Sequence, residues 1–596
     1  MCGIFGLVNA KKHDLASNLQ KMLDSLHHRG PDEKNLHFFK KCILGHSRLT
    51  IVDPIGGSQP MVNNQESVGL TFNGEIYGYR NIKSKIDYNF HTKSDTELLL
   101  ALYEKFGFEM LNKLPGMFSF GLWDEKKHLL FCARDRFGEK PFYYATSEKG
   151  EFIFSSEIKS ILSSGLINPK IDLESMSHYL KRLYVSPSRT IYKNIFSLPP
   201  GHFLKYQNNN IIVDSYWELP KVVQNIDEKS AVEKFKYLLK KAIKNQMIAD
   251  VPVGAFLSGG LDSSTIVALA SKHTDKLKTF TFGFSDSKYN EIDYARSISK
   301  KYKTNHYELL DDKKNLANNL IDMQKIYDEP FADSSNIPTY LISKFASEDV
   351  KVVLSGDGAD ELLGGYDFWY DDLLRFQEYS NKLHPSRSTK IKNWFKSDIS
   401  NKRGEDLHQK YDSINKLFHL QRQFFSEQDL IDFGLENENS VLNNKKVLNI
   451  EDCLANDLLD YLPGDILVKT DRASMANSLE VRSPFLDIDL AEFCISLPYT
   501  FKIDSFKQKK IMRKAFSHYW PRNVNKRKKM GFGAPVNDWL QQDAIVALKN
   551  EYLGNKNHKI FSYLDSKKIY TYKNDSNYKT WILLNLSLWL EHHFEG

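Results

Sequence analysis

The segment that decides the fold of the larger part of this chain reads VPVGAFLSGGLDSSTIVALASK, residues 251–272. The apolar run 251–257 has the length and composition of a buried strand, and TIVALASK is typical of a helix. The turn between them, SGGLDSS, would place backbone N–H groups and a helix N-terminus around an anionic group such as phosphate. A tight strand-to-helix connection without a ligand is the alternative, because glycine and serine also serve turns and helix caps.

This turn matches neither of two common nucleotide-binding motifs. It lacks the lysine of G-x-x-x-x-G-K-[ST], and it is not G-x-G-x-x-G. A second glycine-rich segment, LSGDGADELLGGY at 354–366, also follows an apolar strand, and Glu361 stands there in place of the third glycine. Its carboxylates Asp357, Asp360 and Glu361 come just past a strand end, where doubly wound sheets form clefts. Acids beside a phosphate loop indicate Mg²⁺, and a solvated acidic turn is the alternative.

The first residues, MCGIFG, raise a separate question about Cys2. Methionine is commonly removed when the next side chain is small, which would leave Cys2 with a free α-amine beside its thiol. That amine titrates near pH ~8 and could act as the base for its own nucleophile. A buried cysteine that serves only as a small hydrophobic residue is the alternative.

Composition limits the class of protein. With 596 residues, the chain is longer than one hydrophobic core usually organises, so we expect at least two domains. The net charge of +6 gives no argument for a nucleic-acid or membrane partner, and the basic run KRKK at 526–529 is typical of a solvated face or an anion site. Five scattered cysteines without a C-x-x-C pair, no apolar stretch near ~18 residues and no secretion signal predict a cytoplasmic protein.

The pattern of apolar residues changes along the chain. The first ~200 residues alternate short strand-like runs with turns, and the helical stretches at 14–28 and 94–107 interrupt them, which predicts two sheets covered by helices. The polar segment 205–230 is typical of a linker, and we place a domain boundary near residue 220. Beyond it, helices alternate with buried strands, which predicts a doubly wound parallel sheet followed by a mostly helical last third.

With these segments taken together, the chain resembles the glutamine-dependent asparagine synthetases over nearly its whole length. The motifs that carry the resemblance are CGIFG (2–6), HRGPD (28–32), RLTIVD (48–53), NGEIY (73–77), SDTE (94–97), SGGLDSS (258–264), SGDGADELLGGY (355–366), DRASMANSLEVRSPFLD (471–487) and GFGAPV (531–536). The resemblance implies an α/β multi-domain protein. Residues 2–215 would form a class II glutamine amidotransferase domain, an N-terminal nucleophile (Ntn) αββα sandwich. Residues 225–596 would form a doubly wound parallel-sheet ATP-pyrophosphatase domain, the asparagine synthetase domain, with a helical C-terminal part.

The resemblance also assigns roles in the first domain. Cys2 would attack the side-chain amide of glutamine, and Asn73 and Gly74 would donate hydrogen bonds to the oxyanion that forms. The expected glutamine-binding residues are Arg48, which suits the α-carboxylate, Glu75 and Asp95, which suit the α-ammonium, and Val52, Asn73 and Gly74.

In the second domain, the resemblance implies that an acceptor carboxylate attacks the α-phosphorus of ATP, so that pyrophosphate leaves and ammonia then displaces AMP. The expected ATP-binding residues are Leu257, Ser258, Gly259, Gly260, Asp262, Ser263, Phe282, Ser355 and Gly356. Asp262 and Asp357 are the expected ligands of Mg²⁺. The expected catalytic residues are Asp357 and Glu361, which would support the metal or the acyl-adenylate, and Lys469 and Arg472, which would neutralise charge at phosphorus.

The resemblance implies glutamine, aspartate and ATP as the small-molecule substrates, an apolar route for ammonia, and at the family level a homodimer. None of the motifs contacts the acceptor's side chain, so a sugar uronic acid of surface polysaccharide synthesis stays open as the alternative to aspartate. A non-catalytic descendant is disfavoured because Cys2 and SGGLDSS are both intact. A stand-alone glutaminase is disfavoured because the ATP-binding half is complete.

Overall fold

The fold was analysed in a computed structural model of the chain. The structure describes residues 1–10, 12–284, 290–311, 315–383, 405–435, 446–527 and 533–594. Part of the predicted GFGAPV motif, residues 531–532, lies outside these ranges.

The first 215 residues form two six-stranded antiparallel sheets. One sheet has the strand order β10-β8-β9-β1-β3-β2, and the other has the order β12-β11-β7-β6-β5-β4. The strands are β1 Gly3–Val8, β2 Glu33–Phe38, β3 Cys42–Arg48, β4 Met61–Val62, β5 Val68–Glu75, β6 Met117–Asp124, β7 Leu129–Arg134, β8 Tyr143–Thr146, β9 Phe152–Ser155, β10 Ile195–Ser197, β11 His202–Gln207 and β12 Asn210–Ser215.

Helices cover the outer faces of this pair of sheets. The helices are α1 Lys12–Ser25, α2 Tyr79–Lys83, α3 Asp95–Phe106, α4 Ile158–Ser163 and α5 Leu173–Arg182, with a 3-10 helix at Gly107–Lys113. Helices α1 and α4 pack on the first sheet and α3 packs on the second, while β1 and β3 contact β5 across the interface. The predicted αββα sandwich is confirmed.

Close packing between the sheets explains two glycines. The ring of Phe154 on β9 lies over Gly6 on β1 and Gly121 on β6, so a Cβ at either glycine would come within 2.2 Å of it. A larger side chain at Gly6 would therefore force the sheets apart. The glycine of the MCGIFG segment thus has a packing role.

The predicted linker at 205–230 is wrong in its first part. Residues 202–215 form a hairpin, β11 to β12, that extends the second sheet through pairing with β7. Asn208 and Asn209 at its tip have φ of 52° and 61°, the left-handed backbone that two-residue hairpin turns require. The asparagine run that suggests a linker is thus a turn between two edge strands, and residues 216–227 connect it to the next helix.

The second half is built on a five-stranded parallel sheet with the order β15-β14-β13-β16-β17. The strands are β13 Val253–Phe256, β14 Lys278–Gly283, β15 Asn305–Leu310, β16 Val352–Leu354 and β17 Glu480–Arg482. The chain adds strands in one direction from β13 and then returns to its other side with β16. The predicted doubly wound sheet is confirmed, and its switch point, where such sheets bind ligands, lies between the strands that precede the two glycine-rich segments.

Helices connect and cover this sheet and form the rest of the described chain. They are α6 Glu228–Gln246, α7 Leu261–Ala270, α8 Ile292–Tyr302, α9 Leu316–Ile326, α10 Asn336–Ser347, α11 Ala359–Leu363, α12 Asp367–Leu383, α13 Glu405–Lys410, α14 Ile414–Leu420, α15 Glu427–Asp432, α16 Ile450–Asn456, α17 Leu467–Met475, α18 Ile488–Ser496, α19 Tyr499–Lys502, α20 Lys510–Phe516, α21 Arg522–Lys526, α22 Val536–Trp539, α23 Asp543–Tyr552, α24 Ser566–Lys573 and α25 Tyr578–His593. A π-helical stretch, Asp457–Ile466, leads directly into α17. Among the described residues, no helix combines the length and apolar character needed to cross a bilayer.

Candidate functional site

Cys2 lies at the entrance to β1, where it is 7% exposed. Its backbone N–H donates to Asn73 Oδ1 at 2.9 Å, and Met1 before it is buried with its α-ammonium 2.9 Å from Glu480 Oε2. Burial raises the pKa of the Cys2 thiol, an effect that the nearby N-terminal ammonium only partly offsets. The thiol is therefore protonated at neutral pH and needs a base to become a nucleophile.

Asn73 and Gly74 lie side by side at the end of β5. The Asn73 side chain is fully buried, and its Nδ2 has no hydrogen-bond partner among the described residues. At Gly74, φ is 154° and a Cβ would lie 2.1 Å from the carbonyl oxygen of Met117, so only glycine fits. Asn73 thus offers an unused amide donor beside Cys2, and Gly74 follows it with a backbone that no side chain covers. An oxyanion site requires donors of this kind.

Arg48 ends β3 close to Cys2, whose Sγ lies 4.0 Å from the carbonyl oxygen of Leu49. The Arg48 guanidinium donates to the carbonyl oxygens of Asp53 at 2.7 Å and Val52 at 3.4 Å. It is 5% exposed, and Glu33 is its ion-pair partner at 3.2 Å, so a carboxylate ligand would share this guanidinium with Glu33. The structure therefore brings the predicted Arg48 and Val52 together on one side of Cys2.

Glu75 and Asp95 supply negative charge near the same site. Asp95, the first residue of α3, accepts a hydrogen bond from the backbone N–H of Ile76 at 3.0 Å. Burial raises the pKa of Asp95 to about 6, although that hydrogen bond acts against the shift. Burial also raises the pKa of Glu75, against the attraction of Arg482, which lies 3.3 Å away on β17 of the second half.

In the second half, a cavity of about 790 Å³ opens at the switch point of the parallel sheet. It is lined by all nine residues predicted to bind ATP: Leu257, Ser258, Gly259, Gly260, Asp262, Ser263, Phe282, Ser355 and Gly356. The predicted residues Asp357, Glu361 and Lys469 line it as well. A cavity of this size is in the range of small-molecule and cofactor sites.

The SGGLDSS turn is held in shape from within. Ser263 Oγ accepts from the backbone N–H of Ser258 at 3.2 Å, and Ser258 Oγ accepts from the N–H of Gly260 at 3.3 Å. Gly259 has φ of 72°, and a Cβ there would lie 2.7 Å from the backbone nitrogen of Ala295. The turn therefore runs directly into α7, whose N-terminus faces the cavity, an arrangement that favours an anion.

The acids of the second glycine-rich segment lie beside this turn, since a Cβ at Gly356 would be 2.9 Å from Asp262 Cβ. Asp357 Oδ2 accepts from Ser355 Oγ at 2.9 Å and from Thr470 Oγ1 at 3.1 Å. Burial raises the pKa of Asp357, and it raises that of Glu361 to about 7, with help from the charge of Asp360. Such buried acids favour the approach of a cation or a cationic ligand group.

Lys469 and Arg472 lie three positions apart on α17, but Lys469 lines the cavity and Arg472 lies at the interface with the first half. Lys469 Nζ lies 2.8 Å from Asp333 Oδ2 and lines the cavity. Arg472 instead lies 2.8 Å from Glu157 and 3.4 Å from Asp328, at the contact with the first half. The structure does not bring Arg472 into the cavity with the other predicted residues, and these two acids account for its buried charge.

The donor set fits Mg²⁺ bound together with phosphate. Asp262 Oδ1 is buried without a hydrogen-bond partner among the described residues, and Asp357 lines the same cavity on the adjacent glycine-rich segment. Magnesium uses one or two carboxylates and completes its shell with water and phosphate oxygens. Within the described ranges, no group of three or more ligating side chains forms a ready metal cage, which is consistent with that mode of binding.

Several cavity residues were missed by the sequence analysis. Lys509 forms ion pairs with both Asp262 and Asp360, and Arg513 and Arg527 also line the cavity. Arg527 belongs to the basic run at 526–529, for which an anion site was one of two interpretations. The density of lysine and arginine at 507–514 and 522–529 is the feature that would have directed attention to these residues.

Two family models match the chain. The model described as asparagine synthase matches residues 234–591, and the model described as a glutamine amidotransferase domain matches residues 1–217. Each of the two sites lies in one of these matched regions.

Curated relatives match as well. "Asparagine synthetase [glutamine-hydrolyzing] 1" of Bacillus subtilis is 30% identical over 99% of this chain and 96% of its own length. "Putative asparagine synthetase [glutamine-hydrolyzing] 2" of Methanocaldococcus jannaschii is 40% identical over 61% of this chain and 76% of its own length. A solved glutamine phosphoribosylpyrophosphate amidotransferase of B. subtilis, 15% identical, covers 52% of this chain and 65% of its own with a TM-score of 0.27, too low to support an argument. On the family models and the full-length relative, the chain belongs to the asparagine synthase family and carries a glutamine amidotransferase domain.

Proposed function

We propose that this chain is an ATP-dependent amide ligase that forms asparagine from aspartate with glutamine as the nitrogen donor, releasing glutamate, AMP and pyrophosphate. Residues 2–215 would be the glutaminase domain, and residues 225–596 the synthetase domain. The observation that carries the proposal is the presence of two sites in one chain. Cys2 lies beside the unpaired amide of Asn73, and a separate cavity is framed by both glycine-rich segments.

Glutamine hydrolysis would begin at Cys2 after Met1 has been removed. The freed α-amine takes the thiol proton, and Sγ attacks the side-chain amide carbon of glutamine. A C–S bond forms and the C–N bond breaks, and the proton passes to the leaving nitrogen, so that ammonia departs. Water then cleaves the thioester to give glutamate and restore the thiol.

The surrounding residues would hold glutamine and its oxyanion. Asn73 Nδ2 and the backbone at Gly74 supply donors for the negative oxygen of each tetrahedral intermediate. Arg48 would bind the α-carboxylate, close to the carbonyl oxygen of Val52, and Asp95 with Glu75 would bind the α-ammonium. Burial of these groups supports the assignment, since ion pairs are stronger where water is excluded.

Synthesis would take place in the cavity. An oxygen of the acceptor carboxylate attacks the α-phosphorus of ATP, and the bond to the β-phosphate bridging oxygen breaks to release pyrophosphate. The turn 258–264 would hold the departing phosphates, and Lys469 would approach the charge at phosphorus. Ammonia then attacks the acyl carbon, the bond to AMP breaks, and the new amide loses a proton.

Magnesium would be held by Asp262 and Asp357 together with ATP phosphates, and it would neutralise charge on the leaving pyrophosphate. Leu257 and Phe282 are apolar residues of the same cavity and suit the adenine, while Ser355 and Gly356 suit the ribose. Glu361 lines the same cavity and would support the acyl-adenylate.

Ammonia must reach the second site unprotonated, because ammonium has no lone pair with which to attack. One buried apolar cluster contains residues of both halves, among them Leu49 and Val52 from the first and Val352 and Met475 from the second. Apolar walls of this kind disfavour the charged form and so support direct transfer.

The experiment that tests the proposal is the Cys2→Ala variant. We expect glutamine-dependent synthesis to fall at least about 10³-fold because the nucleophile is lost, with synthesis from free ammonia retained. Cys132→Ala, a matched loss of another buried cysteine, should keep both activities. Loss of ammonia-driven turnover in folded Cys2→Ala would contradict the separation of sites, and ADP with phosphate as products would contradict the adenylate.

Two further measurements test which carboxylate is the acceptor and whether Met1 is removed. Isotopically labelled amide nitrogen from glutamine should appear in asparagine when aspartate and a uronic acid are both offered. Label in the uronic acid instead would replace aspartate as the acceptor. Mass spectrometry of the purified enzyme should find Cys2 as its first residue, and an active glutaminase that retains Met1 would rule out the α-amine as base.

A further inference from the structure

The two sites are connected through one buried arginine, Arg29, and the helix turn that carries its partner Asp471. Its Nε–H donates to the carbonyl oxygen of Cys2 at 3.1 Å. Its two terminal nitrogens donate to the carboxylate of Asp471, at 2.8 Å and 2.9 Å, and one of them also donates to Glu157 of the first half at 2.8 Å. Arg29 belongs to the first half and Asp471 to the second, so a residue of the synthetase half fixes a group that touches the nucleophile's own backbone.

Asp471 shares a helix turn with two residues of the nucleotide cavity. Lys469 and Thr470 come just before it on α17, and both line the cavity, where Lys469 pairs with Asp333 and Thr470 donates to Asp357. Successive residues of an α-helix point about 100° apart, so one turn can face two neighbours at once. Here residues 469–470 face the cavity, and Asp471 faces the glutaminase half.

The contact is rigid for physical reasons. Arg29 is fully buried and Asp471 is 5% exposed, so neither charge has water as a substitute partner. The bidentate geometry fixes both the position and the rotation of the guanidinium. Burial alone would raise the pKa of Asp471, but the charge and hydrogen bonds of Arg29, together with the charges of Lys140 and Arg472, hold that pKa below its ordinary value.

We propose that Asp471 is a positioning residue for glutamine hydrolysis, acting on Cys2 through Arg29, and that nucleotide bound at Lys469 and Thr470 changes the glutaminase rate along this path. The inference rests on the proposed function, which assigns Cys2 and the cavity their roles. Bound phosphate would attract Lys469, which pairs with Asp333, and Asp357 would hold Mg²⁺ at the expense of the hydrogen bond that it accepts from Thr470. Both changes act on the turn that carries Asp471.

The test measures glutamate release by the full chain in three conditions: glutamine alone, glutamine with ATP and Mg²⁺, and glutamine with ATP, Mg²⁺ and aspartate. The second condition needs no acceptor, so its outcome is independent of which carboxylate the enzyme amidates. We expect ATP with Mg²⁺ to change kcat for wild-type hydrolysis at least about 5-fold, the lower end of common coupling factors. Equal rates in all three conditions would overturn the proposal.

Asp471→Asn should lower kcat for glutamine about 10-fold or more, with a smaller change in KM, and should reduce the effect of ATP toward 1-fold. Ammonia-driven release of pyrophosphate should stay within about 2-fold. Asp328→Asn is the matched control, because it removes a buried acid from the same interface, where Asp328 contacts Ile158, Lys159 and Arg472 but not Arg29. A wild-type response to ATP in Asp471→Asn would overturn the proposal.

Arg29→Lys provides a second variant that keeps the charge but cannot make the two-pronged contact. It should also lose the response to ATP, and Asp471→Asn added to it should cost little more, because both act on one path. Additive losses in the double variant, or a full ATP response in Arg29→Lys, would overturn the proposal. Failure of the proposed function is distinct from these results, since it would appear as glutamine use by Cys2→Ala.

Discussion

At the scale of single residues, the proposed glutaminase site combines a buried thiol with a buried amide donor that has no partner among the described residues. The Asn73 amide is buried with one nitrogen unused, and the Cys2 thiol is buried away from an external base. A buried donor without a partner costs free energy on the order of 1–3 kcal/mol. A ligand oxygen that accepts from this donor would recover that cost, so the geometry favours an oxyanion here.

Asp95 gives a prediction for the pH dependence of glutamine use. Because burial raises its pKa to about 6, the carboxyl loses its charge as the pH falls through 6. The α-ammonium of glutamine then loses its partner, so kcat/KM for glutamine should fall about 10-fold per pH unit below 6, since this parameter reports groups of the free enzyme. The measurement is kcat/KM for glutamate release between pH 5 and 8.

Asp95→Asn is the control for this pH dependence. The variant cannot ionise, so the ratio of wild-type to variant kcat/KM should be large above pH 6 and should shrink below it. A ratio that is constant with pH would contradict the assignment of Asp95.

The effect of Asp95 on the free energy of unfolding has the opposite sign. Because its pKa is raised in the fold, its stabilising contribution is complete below the ordinary pKa of 3.8 and is lost as the pH rises through 6.

The sequence predicted the placement of single residues where a short motif constrains them. Cys2 contacts Asn73, Gly74 follows Asn73 on β5, and Asp262 lines the cavity, while their roles stay predictions. Lys509 was not predicted, because its partners Asp262 and Asp360 are far away in sequence. Only the folded chain brings such partners together.

At the scale of elements, the strand–turn–helix unit around β13 and α7 was predictable because each part has a strong local pattern. The linker at 205–215 was not, since an asparagine-rich run fits a hairpin turn as well as it fits a loop. What decided between them is the pairing of β11 with β7, an interaction with residues some seventy positions earlier. Tertiary pairing of this kind has no local sequence pattern.

The turn after β13 gives a prediction at this scale. Gly259→Ala should raise KM for ATP at least about 10-fold, because φ of 72° is unfavourable for alanine and its Cβ would come within 2.5 Å of Tyr294 Cβ. Glutamate release without ATP should be retained. The measurement is pyrophosphate release with ammonia as the nitrogen source, at varied ATP.

Gly434→Ala is the matched control for backbone strain. It has φ of 85° and nothing within 4 Å of its Cβ, and it lies outside the cavity lining, so it carries the strain without the clash. We expect its KM for ATP to equal that of the wild type. If Gly259→Ala behaved in the same way, the turn would not be holding the phosphates.

At the scale of the whole molecule, the interface between the halves contains a cluster of buried charges beside its apolar contacts. Arg29, Glu157, Asp328, Asp471 and Arg472 are connected there by ion pairs of 2.8–3.4 Å. A composition of 26% charged residues predicts nothing about such a cluster, since most charges lie on the surface. The division into two halves was predictable from pattern, but the way they contact was not, and Arg472, predicted to act at phosphorus, lies among these charges and not in the cavity lining.

Arg472 and Lys469 therefore give opposite predictions. Removing one partner of a buried ion pair costs about 3–5 kcal/mol. Arg472→Met leaves Glu157 and Asp328 with fewer partners, so the melting temperature should fall by several degrees, while KM for ATP in ammonia-driven synthesis stays near that of the wild type. Lys469→Met should lower ammonia-driven AMP formation at least about 100-fold, because the cation near phosphorus is lost.

Both variants are compared by calorimetry and by AMP formation from ammonia and aspartate, at a temperature where each is folded. The two residues lie three positions apart on α17, so helix propensity and local backbone are matched between them. If Arg472→Met lost AMP formation as severely as Lys469→Met while keeping its melting temperature, Arg472 would act at phosphorus after all. The interface would then be the resting position of a side chain that moves into the cavity when ATP binds.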